Sequence, residues 1–171
     1  MKYKKLSHIS LSNHYQFVTF RTKDSLDKFL LEISNLDIDN SIKQYKIDIH
    51  LDGSSNGAYL NNKVLKILKE YIISQDKKLF DLISFVIMPN HIHLLFRETL
   101  KLDEAIRKLK GGSSFLINKV LDKKGQFWVD NYYDRMIRDD KHFEIVYNYI
   151  KNNPIKAGLK DSKKRFYTVY E

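Results

Sequence analysis

The 171-residue chain is organised around one stretch, Met88-Pro89-Asn90-His91-Ile92-His93-Leu94-Leu95-Phe96. Its apolar run after a proline turn predicts a strand. Side chains alternate between the two faces of a strand, so the imidazoles of His91 and His93 leave on one face and Ile92 leaves on the other. Two such imidazoles provide half of a divalent-metal site. Two half-buried polar residues without a metal would give the same pattern. A metal site would need further ligands from other segments of the chain.

Composition favours a globular protein with a polyanionic partner. The formal net charge is +9, and the larger share of the excess lies after residue 100. Such a bias favours nucleic acid before anionic lipid, although a lysine-rich surface without a function would give the same count. The absence of cysteine excludes a disulfide framework and thiolate chemistry. The sequence has no run of eighteen apolar residues and no secretion signal, so we expect no membrane span and a cytoplasmic location.

Hydrophobic periodicity gives the order of the secondary structure elements. The sequence predicts a loose arm at 1–13, a strand at 14–22, a helix at 39–51, a loop at 53–57, a helix at 61–74, strands at 79–88 and 91–97, a helix at 102–121, a fourth strand within 127–138, a helix from 140 to about 153 and a basic tail at 161–171. Asp24 is a candidate N-cap for a further short helix, and Pro154 with Gly158 marks the end of the last long helix. Residues 39–51 also alternate like a strand, and we favour the helix.

These elements define the expected architecture. Mostly antiparallel strands with helices between them predict an α+β fold, with one antiparallel sheet and helices packed on one face. The length suits a single domain over residues 1–171, with enough chain to bury a core.

The predicted helix from residue 140 adds chemistry to the histidine pair. Tyr149 and Asn153 are four positions apart, so one lies above the other on a face adjacent to the apolar face. An amide oxygen can supply a third metal ligand, and a phenol can act as a covalent nucleophile beside it. Tyr147 is a rival nucleophile, but it falls on the apolar face with no amide four residues later, so we favour core packing for it.

Three segments carry candidate DNA contacts. Tyr132 and Tyr133 stand beside arginines and can stack on single-strand bases, although they are also rival nucleophiles or ordinary strand residues. The helix at 102–121 has a polar face and two glycines, which cost helix stability but allow close backbone approach to a ligand. A solvated surface would look similar. The candidate contacts, including those of the basic tail, are Arg107, Lys108, Lys110, Gly111, Ser114, Asn118, Tyr132, Tyr133, Arg135, Arg138, Lys163, Lys164 and Arg165.

Five groups of residues, in this order, resemble the motifs of the HUH single-tyrosine transposases. They are Pro89-Asn90-His91-Ile92-His93, Leu109-Lys110-Gly111-Gly112-Ser113, Phe127-Trp128, Tyr132-Tyr133-Asp134-Arg135 with Ile137-Arg138-Asp139, and Tyr149-Ile150-Lys151-Asn152-Asn153-Pro154-Ile155-Lys156-Ala157-Gly158. Their order and spacing agree over roughly residues 14–160. The chain is similar to the insertion sequence 200/605 group, and in particular to the REP-associated tyrosine transposases.

The resemblance implies a ferredoxin-like (RRM-like) palm whose central strand carries the histidine pair. It implies that His91, His93 and Asn153 bind Mg²⁺ or Mn²⁺. It also implies that Tyr149 attacks a phosphodiester of single-stranded DNA, guided by a DNA hairpin, and leaves a 5′-phosphotyrosine link and a free 3′-OH. The insertion-sequence branch usually has a glutamine as third ligand, whereas the asparagine of this chain fits the REP-associated branch.

Several alternatives remain open from the residues themselves. Mg²⁺ prefers oxygen ligands, and Mn²⁺ tolerates imidazole nitrogen better. A phenol with a pKa near 10 needs a neighbouring positive charge or base, which the sequence does not identify. A domesticated, non-cleaving nucleic-acid-binding module on the same fold is one alternative function, and a metal hydrolase that activates water is another. The resemblance is compatible with a monomer or a homodimer.

Overall fold

One five-stranded antiparallel sheet organises the structure, a computed structural model that describes residues 8–170. In chain order the elements are β1 (Tyr15–Arg21), a 3-10 turn (Lys23–Ser25), α1 (Lys28–Asn35), α2 (Asn40–Gly53), α3 (Asn62–Ser74), β2 (Phe80–Ile87), β3 (His91–Glu98), α4 (Leu102–Leu121), β4 (Tyr133–Met136), α5 (Asp140–Lys156), α6 (Ser162–Arg165) and β5 (Phe166–Thr168). The strand order is β4-β1-β3-β2-β5. This confirms the predicted α+β class and ferredoxin-like sheet.

The histidine strand β3 lies in the middle of the sheet. It pairs with β1 on one side and β2 on the other, and the β1 register places Thr19 opposite His93 and Arg21 opposite His91. Every residue of β3 except Arg97 is buried, because protein covers both faces of the strand. Buried polar groups need partners, so the two histidines depend on the elements around them.

The apolar residues of the sheet divide between two layers. On one face, α3 and α4 pack on the sheet and form the predicted helical layer, which includes Ile92 and Leu94 of β3. On the opposite face, Leu95 of β3 packs with Val146 and Ile150 of α5. The histidines share the face of Leu95 by alternation, so α5 is the helix that lies over them.

The segment that was ambiguous in sequence is the helix α2, as we favoured. Its buried residues are Gln44, Ile47, Asp48 and Leu51, at helical spacing. Two of these four are polar, which is why hydrophobic periodicity alone did not separate a helix from a strand here. Asn90 Nδ2 donates to the carbonyl oxygen of Leu51, which joins the C-terminal end of α2 to the turn before β3.

The N-cap of α1 differs from the prediction. Asp27 caps the helix, because its carboxylate accepts a hydrogen bond from Leu30 N at 3.0 Å. Asp24 instead lies in the 3-10 turn and accepts hydrogen bonds from Tyr59 Oη and Lys123 Nζ. The prediction of Asp24 was wrong because both aspartates precede the apolar run, and only tertiary contacts distinguish them.

The end of α5 also differs from the prediction. The helix continues through Pro154 to Lys156. Proline removes one helical hydrogen bond and its ring crowds the carbonyl of Ile150, but Pro154 lies in the last turn, so the helix loses little and ends two residues later. The chain reverses at Gly158, whose φ of 69° lies in the left-handed region that favours glycine.

Both ends of the described chain contact the sheet. Leu11 N donates to Glu98 Oε2 at 3.3 Å, and Asn13 N donates to the Glu98 carbonyl at 2.9 Å, so residues 8–13 are held rather than loose. The rest of the predicted arm, residues 1–7, lies outside the described residues. The basic tail adds β5 to the edge of the sheet beside β2. Within residues 8–170, no helix is long and apolar enough to cross a membrane.

The two glycines of α4 have different surroundings. A Cβ at Gly112 would lie 1.9 Å from Tyr71 Oη of α3, whereas a Cβ at Gly111 would meet no atom within 4 Å. The close approach of α3 therefore explains Gly112, and a ligand is not needed to explain it.

We expect Gly112→Ala to lower the free energy of unfolding by up to about 2 kcal/mol, because overpacking costs roughly 1–3 kcal/mol and helix propensity returns about 1 kcal/mol. Gly111→Ala is the matched control and should raise the free energy of unfolding by up to about 1 kcal/mol. Urea denaturation measures both changes. Equal effects of the two substitutions would contradict this account of Gly112.

Candidate functional site

The turn before β3 sets the orientation of His91. Asn90 Oδ1 lies 2.8 Å from His91 Nδ1. The amide cannot be reversed, because its Nδ2 faces the carbonyl oxygens of Leu51, Ser54 and Asn56. An amide oxygen only accepts hydrogen bonds, so His91 Nδ1 donates and Nε2 keeps a lone pair. His91 Nε2 is buried and has no hydrogen-bond partner among the described residues.

His93 is held between β1 and α5. Its Nδ1 lies 2.7 Å from Thr19 Oγ1, and its Nε2 lies 3.2 Å from Asn153 Nδ2. The ring centroids of the two histidines are 4.8 Å apart. Asn153 Oδ1 is buried without a hydrogen-bond partner in the part of the chain that the structure describes. The structure thus brings His91, His93 and Asn153 together.

Burial keeps both imidazoles neutral. It lowers the pKa of His93 to about 3. Burial, followed by the charges of His93 and Arg21, lowers the pKa of His91 well below its ordinary value. A neutral imidazole is the form that binds a metal ion; His91 Nε2 is free to do so, whereas His93 Nε2 is free only when Asn153 Nδ2 moves away from it.

Two aspartates of α2, which the sequence analysis missed, lie at the same site. Asp48 accepts hydrogen bonds from Tyr149 Oη and Gln44 Nε2, each at 2.6 Å. Asp52 Oδ1 lies 3.7 Å from His91 Nε2. Burial raises the pKa of each aspartate to about 7. Their spacing of four residues was visible in the sequence, but it makes them direct neighbours, one turn apart, only if the segment is a helix.

Asp48 and the two histidines are close enough to share one cation. One carboxylate oxygen of Asp48 and one ring nitrogen from each of His91 and His93 lie within 4.8 Å of one another. All three residues are buried. Carboxylate oxygen with imidazole nitrogen is a donor set that suits a divalent ion, and this group fits a divalent-metal requirement.

Tyr149 lies beside the histidine pair, whereas Tyr147 does not share its contacts. The Tyr149 ring centroid is 5.2 Å from that of His93, and its hydroxyl donates to Asp48. Burial and then the charge of Asp48 raise the pKa of the Tyr149 phenol. Tyr147 Oη donates to Thr168 Oγ1 of β5 at 3.1 Å, and its ring packs with Phe166. This agrees with the packing role that we favoured for Tyr147.

The candidate DNA contacts divide between two openings. A cleft of about 460 Å³, called here the site cleft, is lined by Tyr149 together with Tyr133, Arg135 and Arg138. A larger groove of about 1190 Å³, called here the α4 groove, is lined by Arg107, Lys110, Gly111, Ser114 and Tyr132. Tyr132 precedes β4 and Tyr133 is its first residue, and the two belong to opposite apolar layers, so the two openings lie on opposite faces of the sheet.

Some candidate contacts are already engaged within the chain. Lys110 Nζ donates to the carbonyl oxygens of Val129 and Asp130, and burial lowers its pKa to about 8. Lys108 pairs with Glu104, and Asn118 Nδ2 donates to the Gly125 carbonyl. Lys163 and Lys164 are exposed in α6.

Arg165 is not available to DNA, which corrects the prediction for this residue. It is 3% exposed, and its guanidinium donates to the carbonyl oxygens of Leu60 and Ile87 and to the side chains of Asn61 and Asp161. A basic tail that joins the sheet needs an internal anchor, and Arg165 provides it.

Comparison with known proteins places the chain in a family. Residues 42–153, well over half of the chain, match the family described as Transposase IS200 like. An uncharacterized protein of Haemophilus influenzae is 31% identical over 99 aligned residues, which cover 42% of this chain and 53% of that protein. The match thus spans about half the length of that curated relative.

A solved structure shares the fold. The structure of a REP-associated tyrosine transposase bound to a REP hairpin has a TM-score of 0.54 and 15% sequence identity, and the match covers 91% of this chain and 74% of that chain. The family match begins in α2 and ends at Asn153, so it includes Asp48, His91, His93 and Tyr149. The chain belongs to the IS200-like transposase family.

Proposed function

We propose that this chain is a DNA transposase that cleaves and rejoins single-stranded DNA through a 5′-phosphotyrosine link at Tyr149. The observation that carries the proposal is the meeting of Tyr149 with Asp48 and the histidine pair in one buried site. The net charge of +9 suits a DNA substrate. The similar REP-associated transposase was solved with a REP hairpin, which supports a hairpin as the guide of the substrate.

The residues of the site fit a divalent ion. His91 Nε2 and Asn153 Oδ1 are buried among the described residues without a hydrogen-bond partner. Such atoms cost roughly 1–3 kcal/mol each, and a cation would satisfy both. We propose that His91, His93 and Asn153 hold Mg²⁺ or Mn²⁺ and that Asp48 is close enough to join them. When bound, the ion supplies Lewis-acid polarisation of the scissile phosphate.

The chain itself supplies the nucleophile and a proton acceptor. Tyr149 Oη donates to Asp48 Oδ2 at 2.6 Å. In the proposed step, the bond between Tyr149 Oη and phosphorus forms while the phenol proton passes to Asp48 and the bond from phosphorus to the 3′ oxygen breaks. The departing 3′ oxygen takes a proton from solvent. Attack of a 3′-OH on the phosphotyrosine reverses the step, so rejoining needs no ATP.

The two openings suggest separate roles in DNA binding. We propose that the single strand enters the site cleft, where Tyr133, Arg135 and Arg138 line the approach to Tyr149. The hairpin would lie at the α4 groove, which is on the other face of the sheet and carries Arg107 beside Lys108 of the same helix. Phosphate contacts by arginine and lysine position a duplex, and aromatic rings stack on unpaired bases.

The covalent step is tested with a labelled single strand that carries a hairpin. We expect wild type to form a protein–DNA adduct with Mg²⁺ or Mn²⁺. Tyr149→Phe should reduce the adduct by at least about a thousandfold, because no other atom replaces the nucleophile, while DNA binding persists. Tyr147→Phe, two residues away, is the matched control and should keep the adduct.

An adduct that persists in Tyr149→Phe would defeat this assignment. Hydrolysis of DNA by that variant without an adduct would favour the metal hydrolase. Metal-independent DNA binding by wild type, with no adduct on any hairpin substrate, would favour the non-cleaving binding module.

Metal binding is tested without DNA by thermal unfolding. Mn²⁺ at about 100 times its Kd should add about 2.7 kcal/mol of stability and raise the Tm by roughly 5–10 °C. His93→Gln should lose this shift relative to its own metal-free Tm. His50→Gln is the control, because His50 lies outside the metal group and bonds to Asp27. An equal shift in wild type and His93→Gln would show that the ion binds elsewhere.

The two DNA-binding openings are tested by binding at several salt concentrations. The double variant of the site cleft, Arg135→Gln with Arg138→Gln, should weaken the binding of plain and hairpin-bearing single strands alike. Arg107→Gln with Lys108→Gln should weaken only the hairpin-bearing strand, and each lost phosphate contact should reduce the salt slope by about 0.7–0.9. The same response from both double variants would contradict the division of roles.

A further inference from the structure

Arg21 lies at the end of β1, directly opposite His91 of β3. Residues paired across antiparallel strands project to the same face of the sheet, so the Arg21 side chain leaves on the face that carries the histidine pair. Thr19, two positions earlier in the same row, contacts His93 Nδ1 at 2.7 Å. This face of β1 therefore belongs to the site.

The side chain of Arg21 is half-buried, and one of its guanidinium nitrogens is left without an acceptor among residues 8–170. Its Nε is buried without a hydrogen-bond partner, and Arg21 forms no ion pair with any described carboxylate. Other arginines of the sheet and tail differ, because Arg97 pairs with Asp81 and Arg165 pairs with Asp161. A buried charged donor without a partner is unfavourable, and an anion from outside the chain would remove that cost.

The charges of the site favour such an anion at Arg21. Asp48 accepts the Tyr149 hydroxyl, and Asp52 Oδ1 lies 3.7 Å from His91 Nε2, so two carboxylates lie beside the phenol and the histidine pair. A DNA phosphate at this site would meet repulsion from the aspartates unless a cation balanced it.

We infer that Arg21 binds the phosphate at the cleavage position of the DNA single strand. A planar guanidinium fork matches the non-bridging oxygens of a phosphate, and a fixed cation there stabilises the charge that develops as the phosphorus is attacked. The inference rests on the proposed function, because it requires a phosphodiester beside Tyr149. None of the sequence motifs contains Arg21, and the β1–β3 register alone brings it to the site.

The inference is tested with oligonucleotides in which one phosphate at a time is an uncharged methylphosphonate. Binding is measured in the Tyr149→Phe background, so that no cleavage occurs. A methylphosphonate at the cleavage position should weaken binding roughly tenfold, because a charge-assisted hydrogen bond is lost. Adding Arg21→Gln should reduce this penalty severalfold at that position only, because its donor is already gone, and the part of the penalty that a bound metal ion contributes should remain.

Arg97→Gln is the matched control, since Arg97 lies at the opposite end of the same strand pair, across from Tyr15. It should leave the penalty unchanged at every position.

In protein with Tyr149 intact, Arg21→Gln should also slow adduct formation at least about tenfold at saturating DNA, and Arg21→Lys should restore part of the rate because it keeps the charge without the fork.

A penalty that Arg21→Gln leaves unchanged at every phosphate would overturn the inference. If Arg21→Gln fails to fold, Arg21→Lys supplies the same comparison. We expect it to reduce the methylphosphonate penalty at the cleavage position, but by less than Arg21→Gln. No reduction of that penalty would overturn the inference. Failure of the proposed function itself is distinguishable, because the protein with Tyr149 intact would then form no adduct.

Discussion

The antiparallel pairing of β3 with β1 is the constraint on which the rest of the site depends. It buries the strand and sends both imidazoles to one face, and it sets Thr19 beside His93 and Arg21 across from His91. A shift of one residue in this register would turn the row of β1 side chains to the other face and remove both neighbours. The turn at Asn90 then fixes the His91 ring, because its amide is held by three carbonyl oxygens.

The electrostatics of the buried site explain why its parts belong together. The histidines are neutral, and the two aspartates are held where burial raises their pKa to about 7. The Tyr149 hydroxyl donates a short hydrogen bond to Asp48. These groups are costly to bury alone, and the proposed cation and DNA phosphate would make them compatible. Within residues 8–170, His91 Nε2 and Arg21 Nε are both buried without a hydrogen-bond partner, so the same argument applies to each.

The helices on the two faces of the sheet have different roles. The layer of α3 and α4 stabilises the sheet, and the contact of Gly112 with Tyr71 shows how closely these helices approach. The opposite face is covered by α5, which carries Tyr149 and Asn153, and is approached by the end of α2, which carries Asp48 and Asp52. The proposed cleavage and rejoining of DNA needs a rigid support and an open approach to Tyr149, which the packed sheet and the site cleft supply.

The sequence by itself determined the α+β class, the histidine pair on one face of a strand, and the helix that carries Tyr149 and Asn153. These depend on local periodicity and on motif spacing, which a sequence displays directly. Only the tertiary structure decided that Asp48 accepts the Tyr149 hydroxyl, that Arg21 faces the histidines, and that Arg165 is an internal anchor. Those relations depend on strand register and on packing between segments far apart in the chain, and no local pattern of residues encodes them.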